Sequence, residues 1–218
     1  MHERRTIAGL VGPIEIAIDR PAGAPRGAAF IGHPHPLYGG TLDNKVAATL
    51  ARTFAGAGWF AVRPNFRGVG ASGGEHDHGA GETDDFLHVI DTAPDWSGGA
   101  IGRATPLALA GFSFGSFVAA RAGERLIARG RAPQVVVLVG AAAGKWPLPK
   151  VPPHTLVIHG ELDETIPLAD VFDWARPQEL PVIVLPGADH FFHRRLSTLK
   201  RLVAGHLRIA FDAPGESD

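Results

Sequence analysis

The chain of 218 residues contains no cysteine. Disulfides, thiolate metal sites and a cysteine nucleophile are excluded together. Charge of one sign is also missing: 21 Lys and Arg stand against 22 Asp and Glu, a formal net charge of −1. No basic surplus exists to draw the chain onto nucleic acid or a membrane surface, and neither partner is expected. No uninterrupted run of 18 apolar residues occurs, so no membrane span is expected. The opening Met1-His2-Glu3-Arg4-Arg5-Thr6 carries charge with no apolar stretch behind it. That pattern predicts no signal peptide and a cytoplasmic protein. What is present is a 45% hydrophobic chain, rich in glycine and long enough to bury one good core.

The most telling segment is Gly111-Phe112-Ser113-Phe114-Gly115. An apolar run, Pro106-Leu107-Ala108-Leu109-Ala110, precedes it and reads as a buried strand. Phe117-Val118-Ala119-Ala120-Arg121 follows and opens an amphipathic helix. A serine between glycines at a tight strand-to-helix turn is the setting of a nucleophile elbow. The pattern alone is weak evidence. With 28 Gly and 6 Ser in the chain, chance supplies roughly 0.1 matches. A second match, Gly70-Ala71-Ser72-Gly73-Gly74, does occur, and Gly68, Gly70 and Gly73 also satisfy GxGxxG. Pro64-Asn65-Phe66-Arg67 separates those glycines from the strand before them, and polar Glu75-His76-Asp77-His78 follows. A dinucleotide loop needs strand and helix immediately on either side. No nicotinamide or flavin cofactor, and no other cofactor, is therefore expected.

Hydrophobic periodicity predicts strands over Ile7 to Val11 and Pro13 to Ile18, joined at Gly12-Pro13 as a hairpin. Further strands are predicted over Ala28 to Ile31, Trp59 to Arg63, the elbow strand, Gln134 to Val139, Thr155 to His159 and Pro181 to Leu185. Helices are predicted over Lys45 to Ala55, Glu82 to Thr92, from the elbow to about Arg129, Leu168 to Trp174 and Arg194 to Ile209. Apolar strands alternating with amphipathic helices imply an α/β fold. Its sheet, of about eight strands, is mostly parallel and has helices on both faces. A single domain is expected over residues 1–211, with a disordered tail over 212–218.

In such sheets chemistry gathers beyond the carboxyl ends of the strands. Ser113 follows the elbow strand. Gly160-Glu161-Leu162-Asp163-Glu164-Thr165-Ile166-Pro167 follows the Thr155 strand. Pro186-Gly187-Ala188-Asp189-His190-Phe191-Phe192-His193 follows the last strand. A serine, a carboxylate and a histidine thus share one sheet edge, in that chain order.

These three motifs make the chain resemble a serine hydrolase of the α/β-hydrolase superfamily over nearly its full length. Asn65-Phe66-Arg67-Gly68-Val69-Gly70-Ala71-Ser72 is similar to the R-G-x-G-x-S loop common there. His33-Pro34-His35-Pro36-Leu37-Tyr38-Gly39-Gly40 is similar to a loop of small bacterial hydrolases related to dienelactone hydrolases and carboxylesterases. Two departures stand out. Dienelactone hydrolases proper carry cysteine in the elbow, where this chain has Ser113. The usual His-Gly after the third strand is His33-Pro34 here. Many members of the superfamily resemble one another in a cap domain after the sixth strand. Only 15 residues separate Val139 from Thr155, so no cap and an open site are expected.

Ser113 is the predicted nucleophile, which needs an adjacent base. His190 is the predicted base, with His193 and His159 as rivals. Asp163 is predicted to orient it, with Glu161, Glu164 and Asp170 as rivals. The oxyanion hole needs two backbone N–H groups. Phe114 should give one. Pro34 and Pro36 have none, so His35 or Leu37 gives the other, and position favours His35. Arg67 is expected to tie loops together through Glu82, Asp84 or Asp85, and Ser72 to be structural. Two H-x-H pairs, His33/His35 and His76/His78, lack further ligands, so no metal is expected. Trp146, Phe112, Phe114, Leu37, Tyr38, Phe191 and Phe192 lie near the triad loops and either line an acyl pocket or belong to the core. The reading is a hydrolase acting on a small or accessible carboxylic ester or thioester through an acyl-enzyme. The expected partner is that small-molecule substrate, and the sequence does not set the oligomeric state. The alternatives are a peptidase, an acyltransferase, or a non-catalytic binding protein.

Overall fold

The computed structural model describes residues 2–212. Residues 213–218, most of the expected tail, lie outside the described residues. Eight strands form one sheet: β1 (His2–Ala8), β2 (Pro13–Asp19), β3 (Gly27–Gly32), β4 (Trp59–Pro64), β5 (Leu107–Phe112), β6 (Val135–Val139), β7 (Leu156–Gly160) and β8 (Val182–Leu185). Their spatial order is β1-β2-β4-β3-β5-β6-β7-β8. β1 and β2 are antiparallel and the remaining strands run parallel to one another.

The helices are α1 (Lys45–Gly56), α2 (Ala80–Asp91), α3 (Ala93–Trp96), α4 (Phe114–Ala128), α5 (Leu168–Ala175) and α6 (Leu196–Asp212). Alternation along the strands splits the core in two. Phe30 and Leu109 meet α2 and α4 on one face, while Ile31 and Ala110 meet α1 and α6 on the other. The five residues of β6 are all buried aliphatics, as a strand covered on both faces requires. No cap domain interrupts residues 140–155, and no helix is long and apolar enough to cross a membrane among the described residues.

The last helix is Leu196–Asp212 rather than Arg194 to Ile209, so Asp212 belongs to it and not to the tail; two other differences from the sequence reading have a clear local cause. The first strand is His2–Ala8 rather than Ile7 to Val11. It pairs His2 with Asp19 through Ala8 with Pro13, leaving residues 9–12 as the turn. Leu10 and Val11, the apolar residues that suggested a strand, stand 55% and 53% exposed in that turn. The strand itself is charged because it is an edge. Glu3 pairs with Arg5 and Arg20, and Arg4 pairs with Asp43. Helix α2 begins at Ala80, two residues early, because Glu82 reaches back. Its buried carboxylate accepts from the N–H of Gly79 at 2.7 Å and of Asp77 at 2.9 Å.

The topology fixes where a site can form. From β3 the chain winds outward to β4 in one direction, and from β5 outward to β6 in the other. The crevice at that switch lies between the ends of β3 and β5, where Gly32 is in register with Gly111.

Candidate active site

At the end of β5 the chain turns directly into α4. Ser113 takes φ +55° and ψ −124°, a region that costs a non-glycine residue about 1–3 kcal/mol. The flanking glycines permit the turn. A Cβ on Gly111 would overlap the Gly115 carbonyl, and one on Gly115 would overlap the Gly32 backbone. Ser116 fixes the turn from below. Its Oγ donates to the Ser113 carbonyl at 2.6 Å and accepts from the Ala142 N–H at 3.0 Å. Sequence reasoning does not single out Ser116, since its position inside a helix gives no signal.

The three residues predicted from separate strand ends meet. Ser113 Oγ lies 3.0 Å from His190 Nε2, and His190 Nδ1 lies 2.7 Å from Asp163 Oδ2. The other carboxylate oxygen of Asp163 accepts from the N–H groups of Thr165 at 2.9 Å and Ile166 at 2.8 Å. All three side chains are at least nine-tenths buried.

The rivals stand outside the relay. Glu161 accepts from the Gly187 N–H at 2.7 Å. Asp170 sits in the first turn of α5, beside Gly144. Glu164 lies on the wall of the cleft over Ser113. His193 pairs at the surface with Asp189 at 2.5 Å, which holds that carboxyl below its usual range. His159 is fully buried. Its Nε2 donates to the Ile166 carbonyl at 2.9 Å and stands 3.3 Å from Asp163 Oδ2. Burial pushes its pKa down, so it is neutral.

The loop after β3 passes over the elbow. His33 is buried beneath it. Its Nδ1 donates to the Pro34 carbonyl at 2.7 Å and its Nε2 accepts from the Phe66 N–H at 2.9 Å. That arrangement needs a neutral ring, and burial lowers its pKa to about 3. The N–H of Leu37 is turned back onto His35 Nδ1 at 3.2 Å. Among the described residues, the N–H groups of His35 and Phe114 donate to no protein acceptor. Both residues line a cleft of about 640 Å³ with Ser113 and His190.

His33 faces Phe66 and His35 faces the cleft, so the first H-x-H pair diverges, whereas His76 lies 2.8 Å from Glu82 and its ring packs on those of His35 and His78 at 4.6 and 5.1 Å. Among the described residues no three His, Cys, Asp or Glu side chains are grouped to hold a metal ion. Arg67 makes two bonds to Asp85, at 2.6 and 3.1 Å, one of the carboxylates expected to receive it. Ser72 Oγ accepts from the Glu15 N–H and donates to the Asn65 carbonyl, each at 2.9 Å, as a structural serine should.

No family model matches the chain. An uncharacterised protein of Rickettsia prowazekii is 28% identical over 196 residues, covering 82% of this chain and 77% of that one. A solved structure of an α/β serine hydrolase homologue from Coxiella burnetii is 35% identical, with a TM-score of 0.78 over 94% of this chain and 97% of that one. An α/β serine hydrolase without a lid from Xanthomonas campestris is 34% identical, with a TM-score of 0.87 over 98% and 96%. By that similarity along almost the whole of both chains, this chain is a hydrolase and belongs to the α/β-hydrolase superfamily, in its small lidless group of serine hydrolases.

Proposed function

We propose that the protein cleaves a carboxylic ester or thioester through an acyl-enzyme on Ser113. One observation carries the reading: the unbroken relay from Ser113 Oγ to His190 Nε2, and from His190 Nδ1 to Asp163 Oδ2, at 3.0 and 2.7 Å. A serine hydroxyl is a poor nucleophile until a base removes its proton. His190 Nε2 takes that proton as Oγ bonds to the carbonyl carbon. Asp163 holds Nδ1 protonated and steadies the imidazolium that forms. With Thr165 and Ile166 also donating to it, this carboxylate cannot swing away from the ring.

The carbonyl oxygen becomes an oxyanion beside the unengaged N–H groups of Phe114 and His35. Donors already aimed at developing charge need no reorganisation, and each is worth ~3–4 kcal/mol of barrier. The imidazolium then gives its proton to the leaving alcohol or thiol, and the C–O or C–S bond breaks. Water, deprotonated by His190, attacks the acyl-enzyme. The carboxylic acid departs and Ser113 regains its proton. An open cleft without a lid suits small or accessible acyl groups.

The test is turnover of p-nitrophenyl acyl esters from acetate to laurate, with wild type and Ser113→Ala side by side. Turnover by wild type that the variant loses by 10³-fold or more supports the acyl-enzyme. Equal rates in both proteins, or no turnover of any ester, would end this reading.

A further inference from the structure

We infer that the cleft selects esters whose acyl chain ends in an aromatic ring over linear-chain esters of equal carbon count. This deepens the proposed function and rests on it. The cleft wall above Ser113 is built of rings. Trp146 stacks on Phe117 at 5.2 Å and meets Phe114 edge-on at 4.9 Å. His35 joins Trp146 to Tyr38, at 5.6 and 4.8 Å. Phe191, which lines the same cleft, packs edge-on to His190 at 5.1 Å. Phe191 is 49% exposed and Tyr38 87% exposed, and both line the cleft. Large rings left partly in solvent in the cleft that holds Ser113, with no cap domain over them, keep apolar surface uncovered.

Rings in that arrangement discriminate by shape. An aromatic guest between Tyr38, Trp146 and Phe191 gains stacked or edge contacts beyond the area it buries. A linear chain of the same carbon count gains no such contacts. It also loses rotational freedom at every bond it orders, and in an open cleft it stays partly wet. Charge does not select, because the cleft presents one lysine, Lys145, and one glutamate, Glu164.

Methyl 3-phenylpropanoate and methyl nonanoate test this directly. Both place a CH₂ next to the carbonyl and release methanol, so their intrinsic reactivities match. Wild type should show kcat/KM for the phenylpropanoate higher by roughly two- to twelvefold. Tyr38→Ser and Trp146→Leu should each move that ratio toward one. The first substitutes a surface side chain and carries no folding risk. A wild-type ratio of one or below overturns the inference, as does a ratio that both variants leave unchanged. Methyl acetate, assayed with wild type and Ser113→Ala, keeps the two questions apart. If its turnover depends on Ser113 while no ring preference appears, the acyl-enzyme reading stands and only the selectivity falls.

Discussion

Acid should weaken this protein through His33, by an amount that follows from where the ring sits. In the folded chain both ring nitrogens are committed, one donating to Pro34 and one accepting from Phe66, and the pKa is lowered from 6.5 to about 3. Once unfolded, the ring titrates normally near 6.5. Between those values the unfolded chain binds one more proton than the folded one, so stability is lost as pH falls through that window. The full difference is worth roughly 5 kcal/mol, of which about 2.5 kcal/mol disappears between pH 7 and pH 4.5. His33→Gln isolates the effect, because an amide can donate to Pro34 and accept from Phe66 yet does not titrate. Urea unfolding of both proteins at pH 7 and 4.5 gives four free energies. Carboxylates and other histidines cancel in the double difference. Wild type should lose about 2.5 kcal/mol more than His33→Gln over that interval. Equal losses would refute the claim that His33 is held neutral as the tie between the loops after β3 and β4.

Three further expectations follow from other contacts. Asp163→Asn should leave the fold intact and lower kcat on p-nitrophenyl acetate by about 10⁴-fold, because the amide favours the wrong His190 tautomer; a loss under tenfold would remove Asp163 from the relay. Gly115→Ala drives a Cβ into the Gly32 backbone, so thermal unfolding should show a loss of roughly 1–3 kcal/mol or more, and an unchanged Tm would contradict the close approach. Arg67→Met strands the buried Asp85 carboxylate, which should cost about 3–5 kcal/mol in urea unfolding, and adding Asp85→Asn should recover part of it.

The site was legible where local chain chemistry dictates geometry. Ser113 declares itself through glycines that only a tight turn between strand and helix requires, and His190 and Asp163 through their places just past strand ends. What was not legible depends on partners distant in sequence. Nothing local distinguishes His33 from His35, yet one is buried against Phe66 and the other faces the cleft. His35 and Leu37 both follow prolines and were equal by chemistry as donors. Only the folded turn shows Leu37 N–H spent on the His35 ring. Edge strand β1 escaped for a similar reason. Its charges are satisfied by β2 and by Arg20 and Asp43, so it lacks the apolar alternation that betrays an internal strand. Ser116 reads as an ordinary helical serine until its hydroxyl is seen bridging the elbow to Ala142.

The most direct test of the central claim is covalent capture of the nucleophile. Incubation with a p-nitrophenyl alkylphosphonate, followed by intact mass and peptide mapping, should show one adduct per chain. It should lie on the peptide bearing Ser113, at Ser113 rather than Ser116, and be absent from Ser113→Ala. An unmodified wild-type protein, or equal labelling of the Ser113→Ala variant, would contradict the account.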